Sequence, residues 1–188
     1  MKIYIIRHAQ VDFCWSRQCT SNEFDMECSR YDSSPVKETT CKIPQAEYHR
    51  VYVSELSRSL KTAEILFPDG DFIKTGLINE VPLRSSFDTE KKLPLWFWNI
   101  SGRLQWFVNS IRQAEGRLYT KERARQFVEI ICKGNSDCAV VTHGFYMHIL
   151  LWEMKKAGFR MNKSSAMYKN GECVIAEKYG AHGSFLCF

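Results

Sequence analysis

A chain of 188 residues, with 45% apolar and 25% charged side chains, holds enough apolar material for a folded domain and excludes a disordered, coiled-coil or fibrous protein. Its formal net charge of +5 favours anionic ligands, but the basic residues are scattered among acidic ones and form no nucleic-acid arm. No stretch approaches the about 18 apolar residues of a membrane span, so the expectation is a cytoplasmic protein with reduced cysteines, bound to neither nucleic acid nor membrane.

The first predicted element is a strand over Lys2 to Ile6, whose near-continuous apolar run suits a central strand covered on both faces. From Asp12 to about Lys42 the chain is polar and reads as an extended loop, a class that often carries function. Cys14, Cys19, Cys28 and Cys41 in this stretch are spaced too widely for a zinc knuckle, so no metal is expected. Arg50 to Val53 is a second strand, after which Ser57 is read as the cap of a helix continuing to about Leu66. Phe72 to Thr75 is a short third strand, and Leu77 to Leu95 is irregular, punctuated by Pro82 and Pro94.

Leu104, Phe107, Val108 and Ile111 are spaced as the inner face of an amphipathic helix, and Ala124, Phe127, Val128 and Ile131 repeat that spacing. Ala139 to Thr142 is a buried-strand pattern ending at His143-Gly144, and a helix rich in Ile149, Leu150, Leu151 and Trp152 follows. Glu172 to Lys178 gives a last strand. This order predicts an α/β fold, a three-layer sandwich around a mainly parallel sheet.

Polar residues cluster at the carboxyl ends of the predicted strands. The first ends in Arg7-His8, the second leads to Arg58, and the fourth ends in His143. In a parallel sheet ligands bind outside those ends, so these residues can converge on one site.

The segment Ile5-Ile6-Arg7-His8-Ala9 resembles the Arg-His signature of the histidine phosphatase superfamily, the phosphoglycerate mutase-like proteins. Val53 to Ala63, with Ser54, Leu56, Arg58, Thr62 and Ala63, resembles that family's second block, and Val141-Thr142-His143-Gly144 its late His-Gly block. The resemblance implies a phosphoglycerate mutase-like fold, one domain over 1–188 with a cap or insert around 81–120, and no cofactor. It implies a metal-independent phosphatase acting on a small phosphate ester, with His8 as the nucleophile that becomes phosphohistidine. Arg7 and Arg58 then bind the phosphoryl oxygens, since guanidinium groups stay charged and donate in pairs. His143 becomes a further donor to the phosphoryl group, in a site where it can be protonated. Glu80, in Leu77-Ile78-Asn79-Glu80-Val81, matches the family's loop proton donor, with Asp88 and Glu90 as fallback candidates.

Several positions depart from the family. Ala9 stands where Gly is usual, Gln10-Val11 replaces a polar pair, Cys14 falls where many members have a phosphate-binding Asn, and no Gly-Gln-Ala block is recognisable between Lys37 and Ala46. The aromatic run Leu93 to Trp98, with Trp106 and Phe107, falls in the expected cap and is read as cap-to-core packing or the lining of a pocket for a ring. His49 and His148 are read as structural or surface residues, and His182 belongs to an unmatched tail from Tyr179 to Phe188. Two other readings stay open: a mutase that redelivers the phosphoryl group, and a non-catalytic phosphate- or phosphoprotein-binding module. The substrate and the oligomeric state are unassigned.

Overall fold

The computed structural model describes residues 1–37, 43–44 and 48–179. Cys41, His182, most of the 37–46 stretch and the tail beyond Tyr179 lie outside the described residues. A six-stranded sheet runs through the centre. Four of its strands are parallel: β1 (Lys2–Arg7), β3 (Arg50–Val53), β4 (Phe72–Lys74) and β6 (Cys138–Thr142). β8 (Cys173–Glu177) pairs antiparallel with β1, and the two-residue β7 (Arg160–Met161) closes the edge, giving the order β4-β3-β6-β1-β8-β7.

Alternation along the strands sorts the apolar residues to two faces. Ile3, Ile5, Tyr52 and Val140 point into one core, where α4 (Arg117–Gly134) and α5 (Gly144–Lys156) pack. Ile6, Val51, Val53, Ala139 and Val141 point to the other, covered by α2 (Ser57–Leu66) through Ala63. This is the expected α/β architecture, with helices on both faces of a mostly parallel sheet. Ala124, Phe127, Val128 and Ile131 of α4 are buried as their spacing predicts.

Three local expectations are corrected. The polar stretch after Asp12 is not a loop throughout. It holds a two-residue strand β2 (Gln18–Cys19) and a helix, α1 (Ser21–Ser33). Thr20 and Glu23 close a capping box at the start of α1: the Thr20 hydroxyl accepts from the Glu23 amide at 3.2 Å, and the Glu23 carboxylate accepts from the Thr20 amide at 2.8 Å. The helix then buries Phe24 against Trp98.

Second, Leu104, Phe107, Val108 and Ile111 do not form an inner face. After β5 (Leu93–Pro94), which pairs with β2, the helix α3 (Leu95–Phe107) buries Trp98, Gly102 and Trp106 and leaves those four residues exposed. Gly102 decides the orientation. A methyl group there would come within 2.7 Å of the Leu83 side chain and 3.1 Å of the Arg84 carbonyl. The indole N–H of Trp98 donates to the Cys19 carbonyl at 3.0 Å, fastening α3 to the segment that carries α1. Third, Ser57 does not cap α2. Leu56 holds the cap position without a side-chain bond, and the Ser57 hydroxyl donates instead to the Asp32 carbonyl at 2.9 Å.

Candidate active site

The register of the sheet brings the motif residues together. Arg7 lies opposite Thr142, the His8 amide donates to the Thr142 carbonyl, and the Ser54 amide donates to the Val141 carbonyl. The ends of β1, β3 and β6 are thus level, and a cavity of about 1170 Å³ opens beside them, lined by Arg7, His8, Arg58 and Glu80.

His8 is buried. Its Nδ1 is 2.7 Å from the Ala9 carbonyl, an acceptor only, so Nδ1 carries the proton and Nε2 keeps a lone pair. Burial, then the Arg58 charge and to a smaller extent that of Arg7, push its pKa down to about 3, opposed by the hydrogen bond to the Ala9 carbonyl. The loop after it is pinned by the Thr62 hydroxyl, which accepts from the Ala9 amide at 2.9 Å and donates to the Arg58 carbonyl at 2.6 Å. The Thr of the second block therefore ties the loop after His8 to the helix that carries Arg58. Asn170 adds a bond to the His8 carbonyl at 3.1 Å.

Arg7 donates to the Tyr168 carbonyl and lies flat against Gly144, where a methyl group would fall 2.8 Å from the guanidinium carbon. The glycine of the His-Gly block is needed for that approach. Arg58, almost wholly buried at the start of α2, has its Nε–H directed at Nδ1 of His143 (3.2 Å) and its Nη1 on the Asp32 carboxylate (2.6 Å), with Tyr31 beneath it at 5.1 Å.

His143 is not arranged as the expected direct donor. It is completely buried, with its ring centroid 5.1 Å from that of His8. Its Nδ1 accepts from Arg58, so Nε2 carries the proton and donates to the Ser54 hydroxyl at 2.7 Å, with the Ser59 hydroxyl at 3.2 Å. Ser54 in turn donates to Asn79. Burial, then Arg58 and His8, hold the imidazole well below its ordinary pKa, so it is neutral here rather than protonated. The residue stands behind Arg58 and aims it.

Glu80 follows the short 3-10 turn Gly76–Ile78 and reaches the start of α5. Its Oε1 accepts from the amides of Tyr146 (2.9 Å) and Val81 (3.0 Å), while Oε2 has only the longer contact to the Phe145 amide (3.3 Å). The free N–H groups of the first turn of α5 thus orient the carboxylate on the cavity wall. The fallback candidates lie elsewhere. Asp88 is exposed and paired with Arg112, which lowers its pKa, and Glu90 is exposed. Cys14 is exposed, His49 is exposed, and His148 is half-buried against Tyr168.

The motifs did not disclose Trp15, Tyr31, Asp32 and Arg103, which also line the cavity. Of the expected cap aromatics, Phe97 and Trp98 pack into the α1–α3 cluster, and Trp96 is exposed. Among the described residues no three His, Cys, Asp or Glu side chains are grouped to hold a metal ion, and no helix is long and apolar enough to cross a membrane.

The two neutral imidazoles give stability a pH signature. Each binds a proton in the unfolded chain below about 6.5 but not in the folded one. The unfolding free energy is therefore expected to fall as pH drops from about 6.5, by about 1.4 kcal/mol per pH unit for each histidine. Denaturant unfolding at about pH 7 and about pH 5 measures this, and His8→Gln should roughly halve the slope. A flat profile across that window would contradict the buried neutral pair.

The model of the histidine phosphatase superfamily, branch 1, matches residues 3–187. Among solved structures, Bacillus stearothermophilus YhfR is similar at a TM-score of 0.62 and 16% identity, covering 95% of this chain and 92% of its own. The alpha-ribazole phosphatase from Shigella flexneri matches at 0.58 and 13%, covering 93% and 89%. A phosphoserine phosphatase from Entamoeba histolytica, solved as the H9A mutant with phosphoserine, matches at 0.53 and 14%, again over 93% and 89%. No curated protein matches the chain in sequence.

Proposed function

This chain belongs to branch 1 of the histidine phosphatase superfamily, and we propose that it hydrolyses small phosphate monoesters through a phosphohistidine on His8, without a metal. The observation that carries this reading is His8 itself. A neutral imidazole has one nitrogen committed to a backbone carbonyl and the other unprotonated, beside two guanidinium groups in a cavity. A binding module has use for the arginines but none for such a nucleophile.

In the first step Nε2 of His8 attacks phosphorus while Arg7 and Arg58 take up the charge on the phosphoryl oxygens. The bond from phosphorus to the ester oxygen breaks, and that oxygen takes a proton from Glu80, whose less engaged Oε2 has room to carry it. In the second step water attacks the phosphohistidine, Glu80 recovers a proton from it, and inorganic phosphate leaves with His8 restored. The names of two neighbours, an alpha-ribazole phosphatase and a phosphoserine phosphatase, agree with hydrolysis of a monoester.

The test is turnover of p-nitrophenyl phosphate and of an alkyl phosphate with EDTA present, in the wild type and in Glu80→Gln. The wild type is expected to release phosphate from both. The variant should lose about 10²- to 10³-fold on the alkyl ester and under about 10-fold on p-nitrophenyl phosphate, whose leaving group needs little protonation. Loss of all activity in EDTA overturns the metal-free step, and equal loss on both esters removes Glu80 from the proton transfer. Phosphoryl exchange between glycerate phosphates without net hydrolysis supports a mutase, and binding without turnover supports a module.

A further inference from the structure

The cavity is much larger than a phosphate group needs, and its lining holds a cation that the steps above do not use. Three of its lining arginines are already matched by carboxylates: Arg58 by Asp32, Arg84 by Asp25, and Arg123 by Glu115. Arg7 serves the phosphoryl group. Arg103 is different. Among the described residues it has no carboxylate within ion-pair distance, and its guanidinium is held by one bond from Nη1 to the Val81 carbonyl (3.2 Å) and by stacking on the Phe145 ring, 3.8 Å from the centroid.

Phe145 also gives its amide to Oε2 of Glu80. Arg103 therefore stands near Glu80, the residue read as the proton donor, with Phe145 touching both. Stacking fixes the plane of the guanidinium and leaves its other N–H groups free to grip a bidentate oxyanion. In the same cavity lining, the Nη2 of Arg123 is buried without a hydrogen-bond partner. A half-buried cation with no carboxylate at ion-pair distance is stabilised when an anion arrives.

We propose that Arg103 receives a second anionic group of the substrate, a carboxylate or a second phosphate, carried close to the ester that is cleaved. The inference rests on the phosphatase reading and narrows its substrate class. A different role is open to the same residue: acting only on Glu80 as a positioning charge. That role would affect every ester alike, and the test separates the two.

The test compares matched esters with and without the second anion: 3-phosphoglycerate against glycerol 3-phosphate, phosphoserine against phosphoethanolamine, and fructose 1,6-bisphosphate against fructose 6-phosphate. The wild type is expected to favour the anionic member of a pair in kcat/KM, and the preferred pair tells carboxylate from phosphate. Arg103→Met should lower kcat/KM about 10- to 100-fold for that member and under about 3-fold for its neutral match, with Arg103→Lys recovering part of the loss. No preference in the wild type, equal loss on both members, or an acid limb of the pH profile that moves for both, overturns the proposal. Calorimetric titration of the His8→Ala protein with the same pairs keeps the two readings apart. If nothing turns over, a binding preference that Arg103→Met abolishes sustains the anion site while the phosphatase reading fails. Absence of that preference overturns the site as well. Thermal melts of each variant establish that it is folded.

Discussion

Replacing His8 with alanine is expected to cut turnover of every ester by about 10⁴-fold or more while inorganic phosphate still binds. The loss is this large because no other group can replace the nucleophile. Among the imidazoles near it, His143 has both nitrogens engaged by Arg58 and Ser54. Direct attack by water would meet the arginine pair without a base placed behind it. Phosphate affinity should change only a few-fold, since Arg7 and Arg58 remain and a desolvated ring has been removed. The paired measurement is steady-state release of p-nitrophenolate with phosphate titrated calorimetrically. In the wild type a rapid acid-free quench with a labelled ester should capture a phosphoenzyme that decays in acid and survives base, the behaviour of a phosphoramidate. Turnover of the variant within about 10²-fold of wild type would place the covalent step elsewhere.

The second large effect belongs to Arg58→Lys. Lysine keeps the charge but offers one point of attachment, whereas Arg58 spends Nε on His143 and has its Nη groups at the cavity. The expected loss in kcat/KM is about 10²- to 10³-fold, the scale of removing one well-placed donor from a developing charge. Stability should fall too, because Nδ1 of His143 becomes a buried acceptor with no donor, a cost of about 1–3 kcal/mol. A lowered melting temperature with full activity would separate the packing role from the catalytic one and count against the assignment. His143→Asn is a useful companion, since an amide can accept from Arg58 and donate to Ser54. Partial retention of activity there fits a residue that aims the arginine.

Much of the sheet was legible because its pattern is carried by single residues in their own strands. Ile3 to Ile6 and Ala139 to Thr142 are continuous apolar runs, and such runs have one stable place, the middle of a covered sheet. Helix α4 was legible through the helical spacing of Ala124, Phe127, Val128 and Ile131, all of which are buried. Helix α1 was not, since Phe24 is its only large buried apolar residue and its remaining sequence is polar. The one local signal is Thr20 with Glu23 three residues later, a capping box inside a stretch whose polar composition reads as loop.

The face of α3 misled for a different reason. Leu104, Phe107, Val108 and Ile111 have the right period, but the aromatic volume of Trp98 and Trp106 and the close contact at Gly102 outweigh it. Periodicity shows that a helix has an apolar stripe and says nothing of a second, better stripe on the opposite side. In the site, Arg7, His8, Arg58 and Glu80 were legible because they sit at strand ends or in recognisable blocks. Asp32 and Arg103 were not. They reach the cavity through the packing of α1 on α2 and of α3 on the 81–84 segment, and no spacing in the chain announces either arrival.

The Asp32–Arg58 pair gives Arg58 an anionic partner from within the chain. A carboxylate on the surface of a mostly polar helix sits on the same guanidinium that an incoming phosphoryl group would use. Ligand entry at that arginine is then an exchange of one anion for another rather than the filling of a bare positive pocket. Such a swap leaves the local charge nearly balanced before and after, so the arginine never stands uncompensated in a buried setting. On the phosphatase reading it would also ease departure of the product, because the helix offers Arg58 a ready replacement.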